Sequence, residues 1–242
     1  MIYLDNAATA YPKAPGVAQS MYDYVEKVGA TINRSSYASA QEAGLVTLTL
    51  RERLCRLFDH PEPTCAVLTA GATMGLNMLI KGLLRPGDHC IVSAMEHNAV
   101  MRPLVQLEGE GVSFDRIPCD GQGRLDVAAL PGLIRSSTRL VVIAHASNVS
   151  GTLQDAEAVG KVCREYGLPF ALDAAQSAGH TQVDFARFGL SALAVPGHKG
   201  LLGPQGIGAL LLDAQFAEKL RPLIAGGTGS ASDSEELPGW MP

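Results

Sequence analysis

The sequence has no run of roughly eighteen apolar residues, the length that marks a membrane-crossing helix. It has no basic run either. Its 19 Lys and Arg are scattered and outweighed by 24 Asp and Glu, giving a net charge of -5. Nothing tracks a phosphate backbone, so no nucleic-acid partner and no membrane partner are expected. Cysteine is scarce: Cys55, Cys65, Cys90, Cys119 and Cys163 are odd in number, widely spaced and without a CxxC pair. That spacing argues against a disulfide frame and against a zinc site, so small buried core residues and no metal are expected. The segment Met1–Asn6 has neither a basic leader nor an apolar signal core. The expected compartment is a reducing, cytoplasmic one.

What is present is the material of a large globular domain. Of the 242 residues, 47% are hydrophobic and 18% charged, enough apolar side chain for a substantial core. Short apolar runs recur at Ala66–Ala70, Cys90–Ala94, Leu140–Ala146, Phe170–Ala174, Ala192–Val195 and Ile207–Leu212. Stretches with helical spacing lie between the early ones, at Thr73–Leu84, His97–Leu107 and Asp155–Tyr166. Two more helices, Pro15–Val28 and Gln41–Phe58, precede the sheet. Strands alternating with helices predict an α/β domain with a mostly parallel sheet covered on both faces. The link from Val195 to Ile207 is too short and too glycine-rich for a helical crossover, so one strand near the end is expected to run backwards.

In open parallel sheets, ligands sit beyond the carboxyl ends of the strands. Five strand ends here carry polar or turn-forming groups: Gly71-Ala72-Thr73, Glu96-His97-Asn98, Ser147-Asn148, Asp173 with Gln176, and His198-Lys199. A helix opening at Gly71-Ala72-Thr73 offers N–H groups to a phosphate. Asp173 can keep a pyridine nitrogen protonated, and the Lys199 amine can bind an aldehyde. His97 can stack on a flat ring, while Asn148 and Gln176 can meet a phenolic oxygen. Singly, each has an ordinary explanation as a cap, a turn former or a solvated lysine. Their order and shared strand-end placement carry the reading.

The stretches Tyr3–Thr9, Thr69–Thr73, Glu96–Ala99, Ser147–Thr152, Leu172–Ser177, Gly197–Gly200 with Gly203–Gly206, and Gly226–Ser230 occur in this order. Together they resemble the fold-type I pyridoxal-phosphate (PLP) enzymes of aminotransferase class V, in particular the cysteine desulfurase and selenocysteine lyase group. The resemblance implies a three-layer PLP-dependent transferase-like large domain. It would have a mostly parallel seven-stranded sheet with one antiparallel strand and helices on both faces. It implies PLP as cofactor, with Lys199, His97 and Asp173 as catalytic residues. Lys199 would carry the aldehyde and move a proton, Asp173 would pair with the ring nitrogen, and His97 would stack on the ring. Asn148 and Gln176 would address the phenolic oxygen, and Gly71, Ala72, Thr73 and His198 would hold the phosphate. Thr228 would reach the phosphate of the neighbour in a homodimer.

Residues 1–14 would form an arm near the active site, with Asn6-Ala7-Ala8 at the substrate entrance, and residues 15–242 the PLP-binding large domain. A family member would continue past Pro242 into a small C-terminal domain bearing a substrate-binding arginine and a sulfur-accepting cysteine. The expectation is a chain without that domain, and no catalytic thiol is assigned. Two side chains depart from the family pattern: Pro196 stands where a phosphate-binding Ser or Thr is usual, and Met74 where Glu is common. The implied reaction converts L-cysteine to L-alanine, with sulfur passed to an acceptor that can be a separate protein. Selenocysteine as substrate, another class V aminotransferase activity, and a non-catalytic PLP-binding or dimerising fragment remain open readings at this point.

Overall fold

Apolar residues that alternate along β4 (Thr138–Ala144) show how the core is built. Leu140 and Val142 point into one apolar cluster, Val141 and Ile143 into another, and all four are fully buried. Successive side chains on a strand face opposite ways, so a strand apolar at every position must be covered on both faces. The computed structural model, which describes residues 2–32 and 36–226, has that three-layer form.

Seven strands make one sheet: β1 (Ala66–Thr69), β2 (His89–Ser93), β3 (Ser113–Ile117), β4, β5 (Phe170–Asp173), β6 (Ala192–Pro196) and β7 (Gly208–Leu212). Their order is β1-β7-β6-β5-β4-β2-β3. All neighbouring pairs are parallel except those made by β7, which runs against both β1 and β6. The reversed strand follows from the short connection after β6, as expected. The seventh strand, β3, is not among the apolar runs. Among the described residues it lies at the sheet edge and pairs only with β2, and it carries Asp115 and Arg116 in place of an apolar run.

The helices are α1 (Val17–Asp23), α2 (Ala38–Phe58), α3 (Ala72–Leu83), α4 (Asn98–Glu108) and α6 (Ala156–Glu165), with four-residue turns α5 (Leu130–Leu133), α7 (Phe185–Phe188) and α8 (Ala214–Ala217). One face of the sheet packs Leu54 and Phe58 of α2, Val159 and Cys163 of α6, and Phe185 and Phe188 of α7. The other packs Leu76, Leu79 and Ile80 of α3, Val100 and Leu104 of α4, and Phe216 of α8. Each such side chain contributes roughly 1.5–3 kcal/mol on burial. The first expected helix, Pro15–Val28, is α1 followed by a π-helical turn over Tyr24–Val28. No helix among the described residues is long and apolar enough to cross a membrane.

Because β1, β2, β4, β5 and β6 all point the same way, their carboxyl ends share one edge of the sheet. The segment Tyr3–Ala14 lies over that edge. Ala10 N–H donates to His198 O (2.9 Å), and Ala14 N–H to Leu202 O (3.0 Å).

Candidate active site

A cavity of about 570 Å³ opens at this edge. Gly71, Ala72, Thr73, His97, Asn148, Asp173, Gln176, His198 and Lys199 all line it. These are the site residues expected from the sequence with the exception of Thr228, which lies outside the described residues. No cysteine lines the cavity.

One wall is the start of α3. Gly71 sits at its N-cap with φ +151°, a backbone conformation that residues with a Cβ rarely adopt. Its carbonyl accepts the N–H groups of Met74 and Gly75 (3.1 and 3.2 Å), which starts the helix. The N–H groups of Ala72 and Thr73 find no acceptor among the described residues. Two free N–H groups at the positive end of a twelve-residue helix suit an anion such as phosphate.

The floor is the end of β5. Asp173 is 4% exposed, and its Oδ1 accepts the Ala175 N–H at 2.9 Å. Burial pushes its carboxyl above the usual carboxylate range. The Ala175 bond pulls the other way, as do the positive charges available to His97 and Lys199. A buried carboxylate with one oxygen so engaged is chemically suited to a cationic ring N–H.

Lys199 stands on the loop after β6. Burial holds its amine below the ordinary lysine range, with Asp173 opposing the shift. The loop is seated by two glycines. A Cβ on Gly200 would lie 2.1 Å from Ala178 O, and one on Gly179 2.2 Å from Gly200 O. Only bare backbone permits that approach. Leu202 N–H closes the turn onto Lys199 O at 2.8 Å.

His97 caps α4, its Nδ1 accepting the Ala99 N–H at 3.0 Å. That bond leaves the ring proton on Nε2 in the neutral form. Asn148 lies on a turn held by Ser147 Oγ, which accepts the N–H groups of Val149 and Ser150 (3.2 Å each). Gln176 Nε2 donates to Ala7 O at 3.0 Å, tying the N-terminal segment to the cavity rim. Pro196 also lines the cavity, so that position offers neither a hydroxyl nor an N–H.

Two groups near the site were given no role in the sequence expectations. Glu96 accepts from the Ser93 hydroxyl and from the Ala144 N–H (2.7 Å), and its Oε2 is buried without a partner. Burial raises its pKa to about 8; the two hydrogen bonds oppose this and the Asp173 charge adds to it. The second group is Thr9 with Lys13, both bonded to His198. Glu96 sits beside a residue that was singled out, which is a local signal. Lys13 has none, because its partner is 185 residues away.

Cys55, Cys90 and Cys163 are buried core residues, whereas Cys65 and Cys119 are partly exposed, against the expectation that the cysteines fill the core. Burial raises the thiol pKa of Cys55, Cys65 and Cys90, and takes that of Cys163 to about 12. Such thiols are poor nucleophiles.

Comparison with known proteins agrees with this architecture. A probable cysteine desulfurase from Methanothermobacter thermautotrophicus is 33% identical over 236 residues, covering 97% of this chain and 58% of that protein. Cysteine desulfurase IscS from Vibrio cholerae is 35% identical over 232 residues, covering 93% and 57%. Among solved structures, the apo cysteine desulfurase of Thermococcus onnurineus NA1 superposes with a TM-score of 0.87 at 30% identity, covering 93% of this chain and 57% of that one. A structure described as SspA in complex with cysteine gives 0.85 at 32% identity, covering 94% and 65%. The chain thus spans a little over half the length of the curated relatives it matches. Residues 2–238 match the sequence profile of aminotransferase class V, and the chain belongs to that family.

Proposed function

We propose that the cavity holds PLP and that the chain carries the cofactor-binding half of a cysteine desulfurase. The observation that supports this best is the meeting of three unlike groups on one cavity. These are a helix start with free N–H groups, a buried carboxylate and a lysine amine. That donor set matches a phosphate, a cationic ring nitrogen and an aldehyde.

In this reading Ala72, Thr73 and His198 hold the phosphate, Asp173 the ring nitrogen, and His97 covers the ring. Asn148 and Gln176 serve the phenolic oxygen, and Lys199 holds the aldehyde. The bound cofactor supplies an aldehyde for the substrate amine and a ring that takes up electron density from the substrate's Cα.

The rest is the work of side chains. Asp173 stays ionised opposite a cation and keeps the ring nitrogen protonated. The Lys199 amine, once displaced by the substrate amine, is free to take the Cα proton. A lowered pKa leaves more of it neutral and able to act as a base. The same Nζ can return the proton to the product carbon. The substrate is L-cysteine, the products are L-alanine and sulfur, and the sulfur goes to a thiolate that the five cysteines do not supply. Thr228 is assigned to the phosphate of a second copy in a homodimer.

The test is turnover of L-cysteine by PLP-saturated protein, followed as alanine and as sulfide released by a thiol reductant. Alanine formation by the native chain and none by Lys199→Ala is the expected result. PLP binding without alanine formation would leave a cofactor-binding protein and sink the desulfurase reading.

A further inference from the structure

His198 is held by the N-terminal segment through more donors than one carbonyl ordinarily accepts. Its carbonyl oxygen lies within hydrogen-bond distance of Ala10 N (2.9 Å), Lys13 Nζ (3.1 Å) and Thr9 Oγ1 (3.0 Å). Lys13 Nζ is also 3.0 Å from Thr9 Oγ1, and Thr9 Oγ1 is 3.1 Å from His198 Nδ1.

A count of protons resolves the cluster. A carbonyl has two lone pairs, and here the Ala10 N–H and the Lys13 ammonium fill both. Both are obligatory donors. The Thr9 hydroxyl has a single proton and two acceptors in reach, the His198 carbonyl and the His198 ring. With the carbonyl taken, the proton goes to Nδ1, while the hydroxyl oxygen accepts from Lys13. Neutral imidazole whose Nδ1 accepts carries its proton on Nε2. Among the described residues Nε2 has no hydrogen-bond partner, and the residue lines the cavity beside Lys199.

We infer that Lys13 and Thr9 are positioning residues that fix His198 as its Nε2–H tautomer, so that the ring presents a donor to an anionic group in the cavity. The anion would be the cofactor phosphate, which makes this part of the inference rest on the proposed function. The tautomer itself does not depend on it. Burial and the nearby charges of Lys199 and Lys13 keep the ring neutral, which is the condition under which the tautomer matters. The device also compensates for Pro196, which offers no donor of its own.

The experiment is long-range proton–nitrogen NMR of the histidine rings in the cofactor-free 242-residue chain, with His198 assigned through His198→Gln. Native protein and Thr9→Ser should both show Nε2–H. Thr9→Val removes the proton given to Nδ1, and Lys13→Met frees the carbonyl to reclaim it. Lys13→Met should move the ring toward Nδ1–H, and Thr9→Val should leave a mixture of the two tautomers. In parallel titrations with PLP and with inorganic phosphate, Lys13→Met should bind roughly ten- to a hundredfold more weakly, the worth of one charge-assisted hydrogen bond, and Thr9→Val should lose less. Native protein showing Nδ1–H would overturn the inference without any variant. So would a folded Lys13→Met that keeps Nε2–H. Native protein that shows Nε2–H yet binds no PLP would count against the proposed function and leave the tautomer assignment standing.

Discussion

Glu96 accepts the backbone N–H of Ala144 at 2.7 Å, and Ala144 is the register partner of Asp173 on the neighbouring strand. The carboxyl thus braces the end of β4 against the end of β2, through Ser93, directly beside the cavity floor. It also directly precedes His97 in the chain.

That burial has a pH consequence. With its folded pKa raised to about 8, Glu96 holds a proton in the folded chain that it has lost in the unfolded chain over the interval from its ordinary value of 4.5 upward. The folded state binds more protons there, so stability is fullest below that interval and falls as pH rises through about 8. Glu96→Gln keeps the acceptor for Ala144 and removes the titration. Urea midpoints at pH 5 and pH 8 should differ for native protein, the pH 8 value being lower by the equivalent of roughly 1–3 kcal/mol from this group. They should shift measurably less for the variant. Equal shifts in both proteins would remove Glu96 as the source.

Gly200→Ala tests the seating of the lysine loop. Its Cβ would meet the backbone Ala178 O at 2.1 Å, and neither atom can move by a rotamer change. The expected cost is roughly 2–4 kcal/mol in thermal or urea unfolding, with loss of cofactor attachment. An unchanged midpoint would mean the loop has slack that the geometry does not show.

Asp173→Asn keeps the acceptor for Ala175 N–H and removes the charge. PLP should still bind, because the phosphate contacts are intact. The rate of alanine formation should fall by roughly a hundredfold or more, through loss of the protonated ring nitrogen. A variant with native turnover would strike Asp173 from the catalytic group.

The sheet was largely legible because its strands are apolar on both faces, and a short β-branched run such as Val141-Val142-Ile143 between turn signals reads as a doubly covered strand. β3 was hidden for the opposite reason. An edge strand with Asp115 and Arg116 is half solvated, and its pairing with β2 is decided by the α4 crossover rather than by its own composition. The site residues were legible because chemistry at strand ends leaves unusual side chains next to apolar runs, as with Asp173 after Ala171-Leu172. Glu96 was not, since a carboxylate in a turn ordinarily reads as solvated. Thr9 and Lys13 were not, because their roles come from contacts made 185–189 residues away. Thr228 lies outside the described residues.

The central claim is that Lys199 carries the cofactor's aldehyde. The most direct measurement is borohydride reduction of PLP-saturated protein, followed by mass spectrometry of its peptides. One phosphopyridoxyl label is expected, on Lys199, and an unlabelled protein when Lys199 is replaced by alanine. A label absent from Lys199, or found instead on Lys13 or spread over surface lysines, would contradict it.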